Sequence, residues 1–539
     1  MLFFRQTNIL SAATVIGLAV LGSRVLGLLR DRLLTSLPVD QLDIYFAAFR
    51  LPDLIFQILV MGALTTAFIP VITSYLSKGE EGEAWKVSST IINLAIGFFV
   101  ILAILIFVFA YPLSQFVAPG FPPEKLAIMT DLTRIMLVGQ LFFVLSNFLS
   151  AIIQSSKRFL IPALAPMAYN LGIILGILFL SPTIGIYGPA WGVILGTFLH
   201  FLIQLPVAKH MSFKYGFVLD IKNKGVSEIG KLMGPRTLGL AVAQISFTVD
   251  TILASLISTS SITVFNFASH LQQLPIGLFG ATIAQAALPT LSEEQGQDNL
   301  ENFKSTVLTS FHQILFLTLP AAAILIVLRI PIVRLVFGSI TFPWEATVLT
   351  GKTMAFLGVG IFAQSIIQLL VRGFYALRDS ATPVKIGIGA FVINIIGSLI
   401  LIKVYNLPVW GLAISSSIAD LINAGVLLYF LDRKVSHFPT RKLVVPAVKM
   451  IFAALVAGIS LYIPMKLLDQ LVFDTTRVVP LIALTGTATF AGMTVYLFLT
   501  WVLDIEELKS FIGLIKRIGQ TRQIFKAPVE VLSTGETHG

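Results

Sequence analysis

The chain has 539 residues, of which 56% are hydrophobic and only 12% are charged, and its formal net charge is +10. Soluble globular domains usually contain about 25% charged residues, so this composition leaves too little polar surface to cover a soluble particle. The absence of cysteine excludes disulfides, thiol catalysis and metal sites with thiolate ligands.

Apolar runs of about 20 residues, the length that crosses a hydrocarbon core of about 30 Å, recur along the whole sequence. They predict an all-α, polytopic membrane protein with about fourteen transmembrane helices. One block of six spans is predicted within 1–209 and a second within 235–432, with a cytoplasmic linker at 210–234 between them. Two additional spans are predicted within 433–503, before a cytoplasmic tail at 504–539. The predicted spans lie near residues 8–34, 44–76, 87–112, 127–153, 161–181, 186–208, 235–257, 264–290, 305–336, 350–376, 382–404, 408–431, 443–465 and 478–503.

Lysine and arginine residues concentrate in alternate loops of this pattern. They are frequent at 157–158, 209–236 and 433–449 and in the tail, whereas the intervening loops contain few. This alternation follows the positive-inside rule and predicts that both termini lie in the cytoplasm. Nucleic-acid binding would require one continuous basic face, so no nucleic-acid partner is predicted.

Three motifs recur in the same order in both blocks of six, at an offset of about 220 residues. The pairs are AFIPVIT at 67–73 with AALPTLS at 286–292, IPALAPMAYNLG at 161–172 with TPVKIGIGAFVINIIG at 382–397, and YGPAWGV at 187–193 with LPVWGLA at 407–413. An even number of spans gives both copies the same orientation. We therefore expect two lobes related by a pseudo-two-fold axis along the membrane normal, with a cavity between them, as in transporters. The alternative is a structural bundle without a pathway.

The end of the first predicted span, SRVLGLLRDR at 23–32, contains four charged residues. Charges within a span are costly and usually face a cavity or the protein interior. At about 100° per residue, Arg24 and Asp31 fall within about 20° of each other, two turns apart, which predicts a polar stripe facing a cavity. Arg30 and Arg32 project to either side. The alternative is that the last three charges lie at the helix end and reach the interface, which applies less to the deeper Arg24.

The second predicted span adds Asp43, Arg50 and Asp53 in DIYFAAFRLPDL. Pro52 is expected to kink this helix. Because arginine binds phosphate groups in a bidentate manner, the arginine-rich N-terminal half predicts a site for an anion.

The C-terminal half contains a different set of polar residues. Asp250 lies within QISFTVDTILAS, with no neighbouring lysine or arginine, and Asn394 lies in FVINIIGS. Ser416 is the centre of a run of three serines in the twelfth predicted span. Carboxylate, amide and hydroxyl oxygens suit a sodium ion or a transferable proton, and no other cofactor is predicted. The alternative is that Asn394 and the serines are polar contacts between helices.

Motifs of enzymes are absent from the sequence. It contains no H-E-x-x-H, P-loop or G-x-S-x-G motif, and no long segment outside the membrane that would form a catalytic domain. A membrane glycosyltransferase would need a carboxylate-bearing outer loop, and the predicted outer loops are short and poor in acids. An exporter of organic cations would place acids, not arginines, in its cavity. The chain is therefore predicted not to be an enzyme.

Several stretches resemble the MurJ/MviN family of lipid II flippases. SRVLGLLRD at 23–31, LDIYFAAFRLPDL at 42–54 and GALTTAFIP at 62–70 are similar to its first spans, and FASHLQQLPIGLFG at 267–280 with ALPTLS at 287–292 resembles its eighth. The resemblance implies fourteen helices in two lobes, within the superfamily of multidrug, oligosaccharidyl-lipid and polysaccharide exporters. It also implies alternating-access movement of lipid II, the peptidoglycan precursor, from the inner to the outer leaflet of a bacterial cytoplasmic membrane. Cell-wall synthesis enzymes are then expected as partners, besides membrane lipids.

The resemblance carries specific roles to residues of this chain. Arg24 and Arg30 correspond to the family's first-helix arginines, Asp31 and Asp43 are at family positions, and Asp250 matches an acidic position at which some relatives bind sodium. Together with the charge pattern, this predicts a substrate-binding set of Arg24, Arg30, Asp31, Asp43, Arg50 and His270. The predicted cation-binding set is Asp250, Asn394 and Ser416.

Three differences from the family pattern concern the same region. Phe56 and Gln57 replace an arginine pair, Met61 replaces a glutamate, and His270 occupies the position of an arginine typical of the eighth span. His270 is interpreted as a titrating cavity residue or, alternatively, as a histidine satisfied by a neighbour. Because several cavity charges are missing, another polyprenyl-pyrophosphate-linked glycan remains an alternative substrate. A non-transporting scaffold for cell-wall enzymes is the alternative from a different functional class.

Overall fold

The computed structural model describes residues 9–61, 67–211, 213–297, 299–471 and 477–521, and within these ranges it contains helices and loops but no strands. Fourteen long helical stretches, numbered spans 1 to 14, confirm the predicted all-α polytopic fold. They are span 1, Ile9–Leu34; span 2, Val39–Phe56 with Gln57–Met61 and Ile69–Ser77; span 3, Glu81–Val108; span 4, Pro123–Ser155; span 5, Leu160–Leu175 with Gly176–Leu180; span 6, Tyr187–Leu202 with Leu205–His210; span 7, Lys224–Ser255; span 8, Ser261–Pro275 with Ile276–Ala281 and Thr282–Gly296; span 9, Leu300–Val327; span 10, Trp344–Ala376; span 11, Ala381–Leu399 with Ile400–Val404; span 12, Trp410–Lys434; span 13, Thr440–Leu471; and span 14, Val478–Val502.

Among the described residues, 11 helices are long and apolar enough to cross a membrane. Several spans contain charged residues within their apolar stretch, among them spans 1, 2, 7 and 12. Intramembrane charges normally face protein or a cavity. The chain is therefore a multi-pass membrane protein in which these charged residues are expected to contact other helices or a cavity.

Backbone irregularities recur at matching places in the two blocks of six. Spans 2 and 8 each contain a π-helical segment, and so do spans 5 and 11. The residues before spans 5 and 11, Lys157 and Arg378, both have a positive φ, of 60° and 57°. These matches agree with the duplication read from the sequence and with two six-helix lobes, the N-lobe (spans 1–6) and the C-lobe (spans 7–12). The exact residue limits of the lobes and of the linker stay a prediction.

The two additional spans pack beside the C-lobe. The hydroxyl of Tyr496 in span 14 donates a hydrogen bond to the carbonyl of Phe316 in span 9, at 2.8 Å. The chain then forms a last helix, Glu506–Thr521, whose Leu508 joins the same apolar core. The segment predicted as a tail, 504–539, thus begins with a helix, and its residues 522–539 lie outside the described residues.

Hydrogen bonds join the lobes at one end of the molecule. Nη1 of Arg32 donates to the carbonyl of Leu335 at 2.8 Å, and the hydroxyl of Ser339 donates to the carbonyl of Thr35 at 2.5 Å. We call this the closed end, and it includes loops 35–38, 256–260 and 338–343. The opposite end, called the basic end, includes loops 156–159, 211–223, 377–380 and 435–439.

Two helix boundaries differ from the hydropathy pattern. Span 7 begins at Lys224 instead of near residue 235, because Asn223 caps the helix by accepting a hydrogen bond from the amide of Gly225 at 2.9 Å. Span 9 ends at Val327, and a separate short helix, Arg329–Phe337, follows. Hydropathy locates the hydrocarbon-crossing part of a helix, whereas capping and loop geometry determine where the helix ends.

Candidate functional site

Arg24 lies on the surface of span 1 that faces the C-lobe. A Cβ atom at Gly277 of span 8 would lie only 3.3 Å from Nη2 of Arg24, so the guanidinium lies directly over this glycine. The side chain is exposed, and the described part of the chain offers it no hydrogen-bond or ion-pair partner. An arginine without a partner at this depth is available to bind an anion.

Asp31 is the centre of a polar chain that connects the lobes. Nε and Nη2 of Arg30 donate to its Oδ1 at 3.0 and 2.7 Å, and Nδ1 of His270 lies 2.9 Å from its Oδ2. Nη1 of Arg30 also donates to Oδ1 of Asn170 in span 5, at 3.1 Å. Asp31 is only 2% exposed, so its charge is balanced within the protein. Arg24 and Asp31 both contact span 8 and so lie on one face of span 1, as predicted, but Asp31 is buried between the lobes and does not face a cavity.

Arg30 is therefore held inside the N-lobe, unlike Arg24. Its guanidinium is bound by Asp31 and Asn170, and the side chain of Asn170 in turn donates to the carbonyl of Pro166, at 3.2 Å. In this geometry Arg30 positions Asp31, and through Asp31 it positions His270. Of the two first-span arginines predicted to bind substrate, only Arg24 is free to do so directly.

Asp43 lies at the contact between span 2 and the start of span 8. Its Oδ2 accepts from the amide of Ser260 at 2.7 Å, and its Oδ1 accepts from the amide and hydroxyl of Thr263 at 2.7 and 2.6 Å. These amides belong to the first turn of a helix, where a carboxylate is favourable. Asp43 is fully buried, so in this conformation it caps span 8 and does not face the cavity.

Replacing Asp43 with alanine is expected to lower the thermal stability of the protein. The change removes the acceptor of the amides of Ser260 and Thr263 and leaves the buried amide of Thr263 unsatisfied, at a cost of roughly 1–3 kcal/mol. Thermal unfolding of the purified protein measures this loss. Asp43→Asn, which keeps one acceptor oxygen, should lose less, and equal stability of the alanine variant and the wild type would contradict the capping role.

Arg50 lies between the lobes at the same level as Arg24. Its guanidinium carbon lies 5.4 Å from the ring centre of Phe247 in span 7, and its buried Nε has no hydrogen-bond partner among the described residues. Asp53 and Asp250 are the carboxylates close enough to act on its charge. Arg24, Arg50 and His270 each lie about ten residues, or roughly 15 Å, from the closed-end terminus of their helix. Arg24, Arg50 and His270 therefore lie at one level beneath the closed end, which we call the anion level.

The predicted cation-binding residues are brought together in part. Asp250 is buried, and Asn394 of span 11 lies beside its carboxylate. Asn394 is held by the hydroxyl of Ser415, which donates to its carbonyl at 2.8 Å. Ser416 makes no hydrogen bond to Asp250 or Asn394 within the described residues. It lies four residues from Asp420, and so on the same helix face.

Asp420 is a residue that the sequence reasoning missed. Its carboxylate is near Asp250, and Nε2 of Gln364 in span 10 lies 3.4 Å from its Oδ2. The same rule that selected Asp250, a carboxylate within an apolar span, would have selected it. The described residues around Arg50 thus include two carboxylates, of Asp53 and Asp250, for one guanidinium, and Asp420 lies beyond Asp250.

The positions that differ from the resembled family are filled by neutral contacts. Phe56 is 2% exposed, and its ring centre lies 4.7 Å from that of Phe143 in span 4. Nε2 of Gln57 donates to Oδ1 of Asp53 at 3.3 Å. The side chain of Met61 and residues 62–66 of the motif GALTTAFIP lie outside the described part of the structure. Because Phe56 is an uncharged core residue, Arg24, Arg50 and His270 are the residues that remain to bind the anion.

Known proteins resemble this chain over almost its full length. The family model for the lipid II flippase MurJ matches residues 40–479. A probable lipid II flippase MurJ of Buchnera aphidicola subsp. Acyrthosiphon pisum is 28% identical over 512 residues, which cover 94% of this chain and 99% of the relative. The lipid II flippase MurJ of Burkholderia cenocepacia is 27% identical over 513 residues, covering 92% and 97%.

Solved structures show the same likeness. A lipid II flippase MurJ in an inward closed conformation matches with a TM-score of 0.76 and 25% identity, over 91% of this chain and 98% of that one. An inward-facing multidrug resistance MATE family transporter of the MOP superfamily matches with a TM-score of 0.65 and 15% identity, over 77% and 94%. The second match, at this identity, is a likeness of fold.

Proposed function

The chain belongs to the MurJ family of lipid II flippases, and we propose that it moves lipid II between the leaflets of a bacterial cytoplasmic membrane by alternating access. The basic end is then the cytoplasmic side, as the positive-inside rule requires, and both termini are cytoplasmic. The chain acts as a transporter and not as an enzyme, because the proposed step makes and breaks no covalent bond. Its partners are lipid II, the surrounding lipids and the cell-wall synthesis enzymes that use the product.

The observation that supports this proposal most directly is the free guanidinium of Arg24 over Gly277. The pyrophosphate of lipid II is an anion with several acceptor oxygens, and a guanidinium binds such groups in a bidentate manner. Arg50 adds positive charge at the same level, and His270 adds an imidazole ring. The polyprenyl tail remains in lipid, so that only the head group crosses between the lobes.

The contacts at the closed end explain the direction of access. The bonds between Arg32 and Leu335 and between His270 and Asp31 hold the lobes together at and above the anion level, which supports entry of the pyrophosphate from the basic end. Release to the other leaflet requires these bonds to break while contacts form at the basic end. A substrate that contacts both Arg24 and His270 touches one residue of each lobe. Its affinity therefore differs between the state open to one leaflet and the state open to the other, and binding shifts the equilibrium between them.

We propose further that a cation, either sodium or a proton, resets the transporter at Asp250. The carboxylate of Asp250 and the side-chain oxygen of Asn394 are hard donors of the kind that sodium prefers. The excess of carboxylates around Arg50 also favours an additional positive charge, because unbalanced charges are costly within a membrane. A bound cation would neutralise Asp250 and weaken its attraction for Arg50.

Asp250→Asn is expected to remove the dependence of translocation on the driving ion. The amide cannot be protonated at neutral pH and binds sodium more weakly than a carboxylate. The rate measured in vesicles with an imposed sodium or proton gradient should equal the rate without the gradient. Asp250→Glu, which keeps the carboxylate, should retain the gradient effect, and a full gradient effect in Asp250→Asn would refute the assignment.

Leaflet translocation by the purified protein in vesicles tests the function itself. Lipid II and other polyprenyl-pyrophosphate-linked sugars are each placed in one leaflet, and their appearance in the other is followed with an impermeant reagent. We expect lipid II to move fastest. Faster movement of another glycan would reassign the substrate, and no movement of any of them would favour a scaffold.

A further inference from the structure

The linker between the lobes is an extended segment bound along span 3, and we call residues 213–223 the strap. Nδ2 of Asn93 donates to the carbonyls of Gly216 and Val218 at 3.1 and 2.9 Å. The hydroxyl of Ser89 accepts from the amide of Gly216 at 3.1 Å. Polar side chains of span 3 therefore satisfy backbone groups that an extended segment would otherwise expose to lipid.

The second half of the strap is tied to the first turns of span 3. Nζ of Lys86 lies 2.8 Å from Oδ2 of Asp220, and Nδ2 of Asn223 donates to Oε2 of Glu83 at 3.1 Å. The hydrogen bond from Lys86 holds the pKa of Asp220 below its usual range, so this pair stays ionised and balanced. The strap thus has a fixed inner side, which contacts span 3, and a free outer side.

The outer side of the strap is apolar. Phe217, Leu219 and Ile221 are 88%, 59% and 64% exposed, and they alternate along the extended backbone. The strap contacts span 3 from Asn93 to Glu83, a distance of ten residues or roughly 15 Å along the helix. Because Asn93 lies within an apolar span and Glu83 at its basic-end terminus, these side chains lie at the boundary between acyl chains and head groups.

A basic groove of about 470 Å³ adjoins the strap at the start of span 7. It is lined by Lys222, Lys224, Ser227, Glu228, Lys231 and Leu232. Span 7 has 32 residues, so at 1.5 Å per residue it exceeds a hydrocarbon core of about 30 Å by roughly 18 Å. The lysines place this excess at the basic end, at the level of the lipid head groups.

We propose that the strap and this groove together bind an anionic phospholipid. The ammonium groups of Lys222, Lys224 and Lys231 bind the head-group phosphate, and Phe217 with Leu219 contacts the acyl chains. Charge and apolar area are adjacent and in the order that a phospholipid requires, with the lysines farther from the membrane centre than the phenylalanine. This site is separate from the anion level at Arg24 and does not depend on the substrate.

The position of the site gives a bound lipid a mechanical role. The strap is the covalent connection between the lobes, and its contacts belong to span 3, whereas the lysines belong largely to span 7. A lipid that is bound to the strap and to the lysines of span 7 holds the linker against span 3. Anionic lipid should therefore reduce hydrogen exchange of the strap amides, and not only accumulate near the protein.

The full-length protein in phosphatidylcholine nanodiscs with an increasing fraction of phosphatidylglycerol tests the proposal. Native mass spectrometry measures retained phosphatidylglycerol, and hydrogen exchange measures protection of residues 213–223. A lysine near an anionic surface contributes roughly fivefold to binding, so Lys222→Gln/Lys224→Gln/Lys231→Gln should weaken retention by at least about tenfold. Phe217→Ser/Leu219→Ser should weaken retention of both lipids while keeping the preference for the anionic one.

The matched control is Arg441→Gln/Lys442→Gln, which removes two exposed charges at the start of span 13 at the same end of the molecule. It should retain phosphatidylglycerol like the wild type. Equal losses in the control and the groove variant would show general charge attraction and overturn the site. Protection of the strap by inorganic phosphate alone would also overturn it, in favour of a soluble anion. If phosphatidylglycerol gives no protection, the site binds a protein partner instead.

Discussion

Replacing Arg24 with alanine is expected to reduce lipid II translocation by roughly 30-fold or more while the thermal stability of the protein stays unchanged. Hydrogen bonds to charged groups contribute about 1.5–3 kcal/mol each, and a bidentate contact with the pyrophosphate supplies two. No described residue forms a hydrogen bond or ion pair with Arg24, so its removal breaks none within the described part of the protein. The rate is measured in vesicles by the leaflet-translocation assay, and stability by thermal unfolding.

Two further variants separate binding from folding. Arg24→Lys keeps the charge but loses the bidentate geometry, so an intermediate rate is expected. Arg30→Ala should lose both rate and stability, because it leaves Asp31 buried beside a single partner. Wild-type translocation by Arg24→Ala would remove the main support for the anion site, even if the chain flips lipid II.

The sequence predicted the spans well because the cost of placing polar residues in hydrocarbon acts on each segment separately. The fourteen predicted spans all correspond to helices, and the repeated motifs agree with the repeated π-helical segments. Helix ends were predicted less well, as at Lys224 and Val327. Those ends depend on a cap at Asn223 and on a short helix at the closed end, neither of which changes mean hydropathy.

The candidate site was predicted only where it depends on one helix. The helical repeat placed Arg24 and Asp31 on one face, and both contact span 8. The pairing of Asp31 with His270 joins residues 239 positions apart, so no local pattern could predict it. For the same reason Asp43 was predicted to bind substrate, although its oxygens cap a helix of the other lobe in this conformation.

His270 connects the anion level to the closed end. Its Nδ1 lies 2.9 Å from Oδ2 of Asp31, so Nε2 is the ring nitrogen left to face a substrate. Arg24 and Arg50 lie at the same level, and each arginine is charged at neutral pH. The imidazole therefore both links the two lobes and borders the place where the arginines bind the anion.

His270→Ala is therefore expected to reduce lipid II translocation by roughly tenfold, because a hydrogen bond to a charged group contributes about 1.5–3 kcal/mol and the contact with Asp31 joins the two lobes. His270→Arg should retain the rate better, since a guanidinium can contact Asp31 and still offer donors to the anion. The rate is measured by the leaflet-translocation assay in vesicles. The matched control is His437→Ala, because Nδ1 of His437 lies 2.7 Å from Oδ2 of Asp432 in a similar pair at the basic end. An equal loss in this control would show a general effect of removing a histidine, and a wild-type rate in His270→Ala would show that Arg24 and Arg50 hold the anion without a contribution from the imidazole.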